Sequence, residues 1–386
     1  MANELNKHND NRMAWIRNVE KLPESSDETY YYEYEFASEC YIPGVLDYEN
    51  KKLICGGFSL EQDKNGLYHY LLRVQYPKYE GGYNDKADKR GYYFKDGIIG
   101  ELLAIFSLYF QCRFYIVATY HGELTNHGLK IKMEQEFLYK KTVKGVHPRI
   151  FSEGGRNFAK GLSDFLNTIR ELNNQKHQSF ILACYHYARS LKEVGMDSEM
   201  VFIRLVSAIE TLSQGYKLNK QDNPLDGEKF SNLFGTSKKL SKKQEKQLKE
   251  ILKVNKQDKI LIEKSKQKFI RFITDFSKGC LRGGNWKAKH VKITRKNLPD
   301  VLATIYNSRS GYLHSGEPMY LSQFMHGAGK WDTDPSLGMM IDNRKFPPSQ
   351  KLPYTYWFEN IVRHCLMNYL KSCLNTNITV KYICDK

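Results

Sequence analysis

Strand-type patterning occupies the first part of this 386-residue chain and then stops. YYYEYEF (30–36), KLICGGFSL (52–60), LYHYLLRVQY (67–76), CRFYIVATY (112–120) and LKIKMEQEFLY (129–139) are rich in aromatic and β-branched residues. Gly, Pro, Asn and Asp bound them, as expected for strands joined by turns. One helical run, 97–110, lies among them. Beyond a short basic link at 142–155, apolar residues recur at helical spacing instead. Helices are predicted over 158–173, 179–194, 197–216, 241–276, 298–314 and 354–373. In the third of these, positions 202, 205, 206 and 209 share one face, with Asp197 or Ser198 available as a cap. Such a chain builds an α+β domain, mostly antiparallel, followed by an all-α bundle. The predicted layout is a polar lead-in at 1–29, an α+β recognition or sensor domain at 30–150 and a helical domain at 156–386. The helical domain contains a polar insertion at 315–353.

Charge narrows the partners. The net charge is +16, and residues 238–297 hold 20 Lys and Arg against 5 Asp and Glu, nearly the whole excess. A polyanion, most often a nucleic acid, is the natural partner of such a segment, and a solvated helix face is the alternative. Within it, RGGNWKAKHVKITRK (282–296) sets Trp286 among Lys287, Lys289, Lys292 and Arg295. That arrangement suits an aromatic stacking on a base while cations hold the backbone. Trp286 anchoring a loop to the core is the competing reading. The eight cysteines contain no CxxC pair, so neither a disulfide framework nor a zinc site is expected, and no cofactor is implied. No apolar run reaches membrane-spanning length. IIGELLAIFSLYF (98–110) is short, carries Glu101 and reads as a core helix. No membrane partner and a cytoplasmic location are expected.

The residues with most chemical promise lie in IYNSRSGYLHSGEP (305–318). Leu302, Tyr306, Arg309 and Leu313 follow at spacings of 4, 3 and 4, one stripe of a helix. Arg309 therefore lies in line with apolar residues, where a guanidinium is costly unless paired. His314 is five residues on, about 140° further round an ideal helix. The two converge only if the helix end bends, if the arginine reaches back, or if a second subunit completes the site. Gly316 and Pro318 stop the helix, so His314 falls in its last turn at the negative end of the helix dipole. A histidine able to exchange a proton, combined with a fixed cation, suits phosphodiester cleavage. Glu210, beside the apolar stripe of VSAIETLS (206–213), is the candidate to orient Arg309 or His314.

The run IYNSRSGYLHSGEP, preceded about a hundred residues earlier by VFIRLVSAIETLS, resembles the HEPN superfamily and, within it, the Apea-like HEPN domains. The matching positions are Arg309, His314 and Gly316, with Ser207, Ala208, Ile209, Glu210, Thr211 and Leu212 in the earlier helix. The likeness spans roughly 157–375. It implies an all-helical bundle and a metal-independent endoribonuclease. Such an enzyme is a homodimer whose motifs face each other across the interface, and it serves anti-phage defence or toxin-like cleavage of RNA such as tRNA. The first domain looks like the sensor-type domain that precedes such bundles and would meet a phage-derived trigger or a regulator. Ser310 follows the arginine where the family commonly has Asn, Asp or His. Its hydroxyl can hydrogen-bond a phosphate but cannot act as a base. A non-catalytic RNA-binding or toxin-regulating module is the alternative.

Three other histidines compete. Arg170 and His177 in RELNNQKH form a looser version of the same motif. His326 in QFMHGAGKWD lacks the full phosphate-loop pattern and reads as a loop residue. His364 sits on the closing helix as a packed or surface residue.

Overall fold

The computed structural model describes residues 14–22, 29–57, 60–77, 97–121, 130–131, 157–218, 257–281, 292–319, 332 and 352–373. The chain divides into two compact units. The first comprises residues 1–204 with 367–386, and the second 205–366.

The first unit is built on a six-stranded sheet whose described pairings are all antiparallel, in the order β2-β3-β4-β1-β5-β6. The strands are β1 (Thr29–Ser38), β2 (Val45–Tyr48), β3 (Leu53–Gly57), β4 (Tyr68–Pro77), β5 (Tyr115–His121) and β6 (Lys130–Ile131). Four of them lie where the aromatic runs predicted strands. β2 had no such signal. It is four residues long, turned back by Glu49, Asn50 and Lys51 at positive φ, with Asp47 accepting from the Lys51 N–H. Of the run at 129–139, residues 130–131 are strand and the remainder lies outside the described residues.

Alternation sorts the sheet into two faces. Phe36, Leu46, Tyr48, Leu53, Cys55, Tyr70, Leu72 and Val74 share one face and are buried. On the other face Arg73 pairs with the buried Glu33 at 2.5 Å, and His69 lies between Glu35 (2.9 Å) and Asp63 (3.3 Å). Helix α1 (Ala14–Lys21) comes from the stretch read as a polar lead-in, yet it buries Trp15, Ile16 and Val19. Helix α2 (Gly97–Phe110) is the core helix its composition predicted. Its one acid, Glu101, is buried and accepts from the Trp15 backbone N–H at 3.0 Å.

Helices α3 (Leu162–Arg170) and α4 (Asn174–Glu193) belong to this unit as well. α4 packs along α2, and α3 touches β2 through the hydrogen bond from the Tyr48 hydroxyl to Asn167. Just before α3, Phe158 is fully buried against Tyr70 (5.5 Å), Phe106 (6.1 Å) and Phe110 (5.1 Å) between ring centroids. These edge-on contacts join strand, helix and the start of the helical stretch into one core. Gly161 follows at φ +74°, where a Cβ would stand 2.7 Å from the Tyr109 hydroxyl, so both backbone and space demand glycine.

Helix α5 (Ser198–Ser213) is capped by Asp197, whose carboxylate accepts from Met200 N–H. Its predicted apolar positions Phe202, Leu205, Val206 and Ile209 are all fully buried. The second unit contains the rest of α5 after residue 204, with α6 (Gln257–Phe276), α7 (Leu298–Ser315) and most of α8 (Thr355–Cys373). α6 and α7 pack together, with the Phe269 ring against Tyr306. Among the described residues no helix is long and apolar enough to cross a membrane, and the described cysteines form no disulfide.

Phe158→Ala should cost about 3–5 kcal/mol of stability, because a fully buried ring is replaced by a cavity. Chemical denaturation monitored by circular dichroism measures it.

Candidate functional site

Helix α7 places the motif. Pro299 stands in its first turn, and Asn297 occupies the N-cap position. The Asn297 side chain does not cap the helix. It accepts from the Thr294 N–H at 2.6 Å and donates to the Lys292 carbonyl at 3.2 Å, so it ties down the preceding turn. At the other end Gly316 takes the left-handed conformation at φ 68° and its N–H returns to the carbonyls of Gly311 and Tyr312. His314 is therefore in the last turn, as the sequence predicted.

The stripe changes character along the helix. Leu302 is fully buried and Tyr306 is 4% exposed. Arg309 is half-buried, and Leu313 is 47% exposed. The apolar stripe thus ends at Arg309, and Leu313 is not a core residue. At this margin the Arg309 guanidinium donates through Nη2 to Glu210 Oε2 of α5 at 2.9 Å. Both side chains are about four-fifths shielded from solvent, at 19% and 20% exposure. Arg309 Nε is buried and has no hydrogen-bond partner.

Tyr306, one turn earlier, completes the arrangement. Its ring packs 5.4 Å from Phe269 of α6, and its hydroxyl interacts with Glu210 and with Ser265 of α6. Burial first, and then the negative charge of Glu210, push the phenol well above its ordinary pKa. The neutral phenol is thus a donor beside a carboxylate. Three helices contribute to one polar cluster: α5 supplies Glu210, α7 supplies Tyr306 and Arg309, and α6 supplies Ser265, which meets the Tyr306 phenol.

His314 is not part of that group. It is exposed and makes no hydrogen bond or ion pair among the described residues. α7 continues as an α-helix through Ser315, so the angular separation from Arg309 persists. Of the two partners considered for Glu210, the chain brings it to Arg309. Ser310, next in the chain to the arginine, is half-buried, and its hydroxyl makes no hydrogen bond among the described residues. Glu317 folds back over the same end of the helix. Its carboxylate lies 2.9 Å from where a Cβ on Gly311 would be.

Among the basic residues, Lys292 is half-buried and Arg295 exposed in the turn before α7. Trp286, Lys287 and Lys289 lie outside the described residues, as does His326. Within the same basic 238–297 segment, α6 carries cations that were not named individually from the sequence. Lys264, Lys268 and Arg271 follow at helical spacing on the helix that supplies Ser265 and Phe269. Burial, and then the charge of Lys264 one turn away, hold Lys268 below the ordinary lysine pKa. Its ammonium donates to the Gln214 carbonyl at the end of α5. Arg271 donates to Asp275 at 3.0 Å, and the Tyr216 hydroxyl reaches the same carboxylate at 2.5 Å.

The competing motif is structural. Arg170 pairs with Glu49 and with Glu20, and His177 is fully buried with its ring 6.5 Å from Trp15. His364 lies with Nε2 3.1 Å from the Lys278 carbonyl, a packing contact at the end of α6.

No family model, curated protein or solved structure matches this chain.

Glu210→Gln should destabilise the second unit by roughly 1–3 kcal/mol, since it leaves a shielded guanidinium without its counter-charge. In a double-mutant cycle with Arg309→Gln the losses should fall short of additivity by about 0.5–3 kcal/mol. Additive losses in denaturation experiments would show that the pair is not coupled.

Proposed function

We propose that the helical region is an endoribonuclease of the HEPN type that needs no metal ion and acts as a homodimer. The single observation that carries this reading is the Arg309–Glu210 pair on neighbouring helices, with His314 exposed at the end of α7. Glu210 holds the guanidinium through Nη2, and Nε is buried, which leaves the other terminal N–H groups to meet phosphoryl oxygens. A fixed cation stabilises the charge that accumulates on phosphorus oxygens as the bond breaks.

His314 supplies the proton chemistry. One imidazole takes the proton of the ribose 2′-OH as that oxygen attacks phosphorus. The 5′-oxygen leaves and takes up a proton, giving a 2′,3′-cyclic phosphate and a 5′-hydroxyl end. Two histidines, one from each subunit, can divide these transfers between them. A dimer also resolves the separation of about 140° between Arg309 and His314, because the partner's motif can supply what one helix does not. Lys264, Lys268, Lys292 and Arg295 would hold the RNA backbone, together with Trp286, Lys287 and Lys289. The resemblance to Apea-like domains supports a role in anti-phage defence in the cytoplasm, with tRNA among the candidate substrates and the first domain receiving the trigger.

A second reading is a non-catalytic RNA-binding or toxin-regulating module. Ser310, which cannot act as a base, is the residue that favours it.

The two readings part in one assay. Wild type and His314→Ala are incubated with total tRNA and mRNA in EDTA, and binding is measured in parallel. The ribonuclease reading expects cleavage by wild type with cyclic-phosphate ends, and a loss of at least a hundredfold in His314→Ala. Binding without cleavage by either protein favours the module. In both cases RNA affinity should fall steeply as salt is added. A flat response would remove the electrostatic basis of RNA binding.

A further inference from the structure

Glu210 stands in the last turn of α5, where a helix runs out of its own backbone bonds. No backbone N–H inside the helix is left for its carbonyl, and the chain just beyond supplies one. The Gln214 N–H donates to the Glu210 carbonyl at 3.1 Å, and the Ser213 hydroxyl reaches the same oxygen at 3.3 Å. The Tyr216 N–H then closes on the Ser213 carbonyl at 2.9 Å. Gln214 and Gly215 are exposed, while Tyr216 turns back and is half-buried.

Tyr216 turns back onto α6. Its ring packs against Phe272 and Phe276, at 5.7 and 6.1 Å between centroids, and its hydroxyl donates to Asp275 Oδ2 at 2.5 Å. Arg271, one turn before Asp275, donates to the same oxygen at 3.0 Å and steadies the carboxylate. Burial first, and then the hydrogen bond to Asp275, raise the phenol to a pKa of about 12, so it keeps its proton and remains the donor. From the same helix Lys268 donates to the Gln214 carbonyl. α6 therefore grips the segment that completes the last turn of α5. Helix ends open at little cost when nothing holds them. An unlatched last turn would let the Glu210 carboxylate leave its 2.9 Å contact with Arg309.

We propose that Tyr216 is a positioning residue for the Arg309 site: by latching the end of α5 to α6 it sets where Glu210 stands and, through Glu210, where the guanidinium points. Among the described residues Tyr216 makes no hydrogen bond to Arg309 or to the Glu210 side chain, so its influence passes through the backbone of the last turn. A cation that stabilises a transition state tolerates little misplacement, and an error of about 1 Å costs on the order of a hundredfold in rate. The effect on cleavage rests on the ribonuclease reading; the hold on the Arg309–Glu210 pair does not.

Two variants of the full chain test it. Tyr216→Phe removes the hydroxyl and leaves the ring against Phe272 and Phe276, and Asp275→Ala removes the acceptor. Lys268 is left intact, because it is also placed among the cations that would hold RNA. With total tRNA in EDTA, either variant should lower kcat on the order of ten- to a hundredfold while apparent KM changes by less than about twofold, and the double variant should fall no further. The Arg309–Glu210 coupling, measured by denaturation in a double-mutant cycle, should be largely lost when the cycle is repeated on the Tyr216→Phe or Asp275→Ala background. This second measurement needs no activity. A wild type that does not cleave, with a coupling that depends on Tyr216, refutes the ribonuclease reading and supports the latch. The proposal is overturned if the coupling survives both substitutions unchanged, if kcat holds in an active enzyme, or if the loss appears in KM alone.

Discussion

A guanidinium at the margin of an apolar core must find an anion, and in the second unit that requirement sets how three helices meet. Arg309 follows the buried Tyr306 on α7 and precedes the exposed Leu313. Apolar packing has run out at this point, while solvent is still largely excluded. Glu210 answers it from α5 at 2.9 Å. The same carboxylate interacts with the Tyr306 phenol, which in turn reaches Ser265 of α6. A shift of any one helix by a turn would separate these groups and strand a charge in a shielded place. The polar cluster therefore selects one register among packings that apolar side chains alone would tolerate.

The first unit follows the same rule with different parts. Its sheet hides one face beneath helices and ring clusters, and it pairs the charges of the other face across neighbouring strands. Even the fully buried Arg113 has its carboxylate in Glu39.

Element type was legible because it depends on local periodicity. The aromatic strands and the helix at 97–110 appear close to where alternation and apolar spacing placed them. Turn chemistry was legible at Gly316, where the stop also set the position of His314. Short elements without strong patterning were not, as β2 and α1 illustrate. Nor did spacing reveal how far the core extends along a helix. The wheel grouped Leu302, Tyr306, Arg309 and Leu313, yet burial divides them, because periodicity specifies a direction around the axis and nothing about what stands opposite each turn. Asn297 shows the same limit at shorter range. Its residue type and position suit a cap, but its side chain turns to Thr294.

From the sequence alone came the succession of the longer strands and helices along the chain, the concentration of charge, and the placing of Arg309 and His314 on different sides of one helix. Those follow from near neighbours in the chain and from fixed helical geometry. Only the tertiary structure decided that Glu210 goes to Arg309 while His314 is left exposed, that Tyr306 joins the carboxylate and Ser265 the phenol, and that α3 and α4 pack with the sheet. Each of these unites residues far apart in the chain, and partner choice there is set by which faces the packed elements exclude from water.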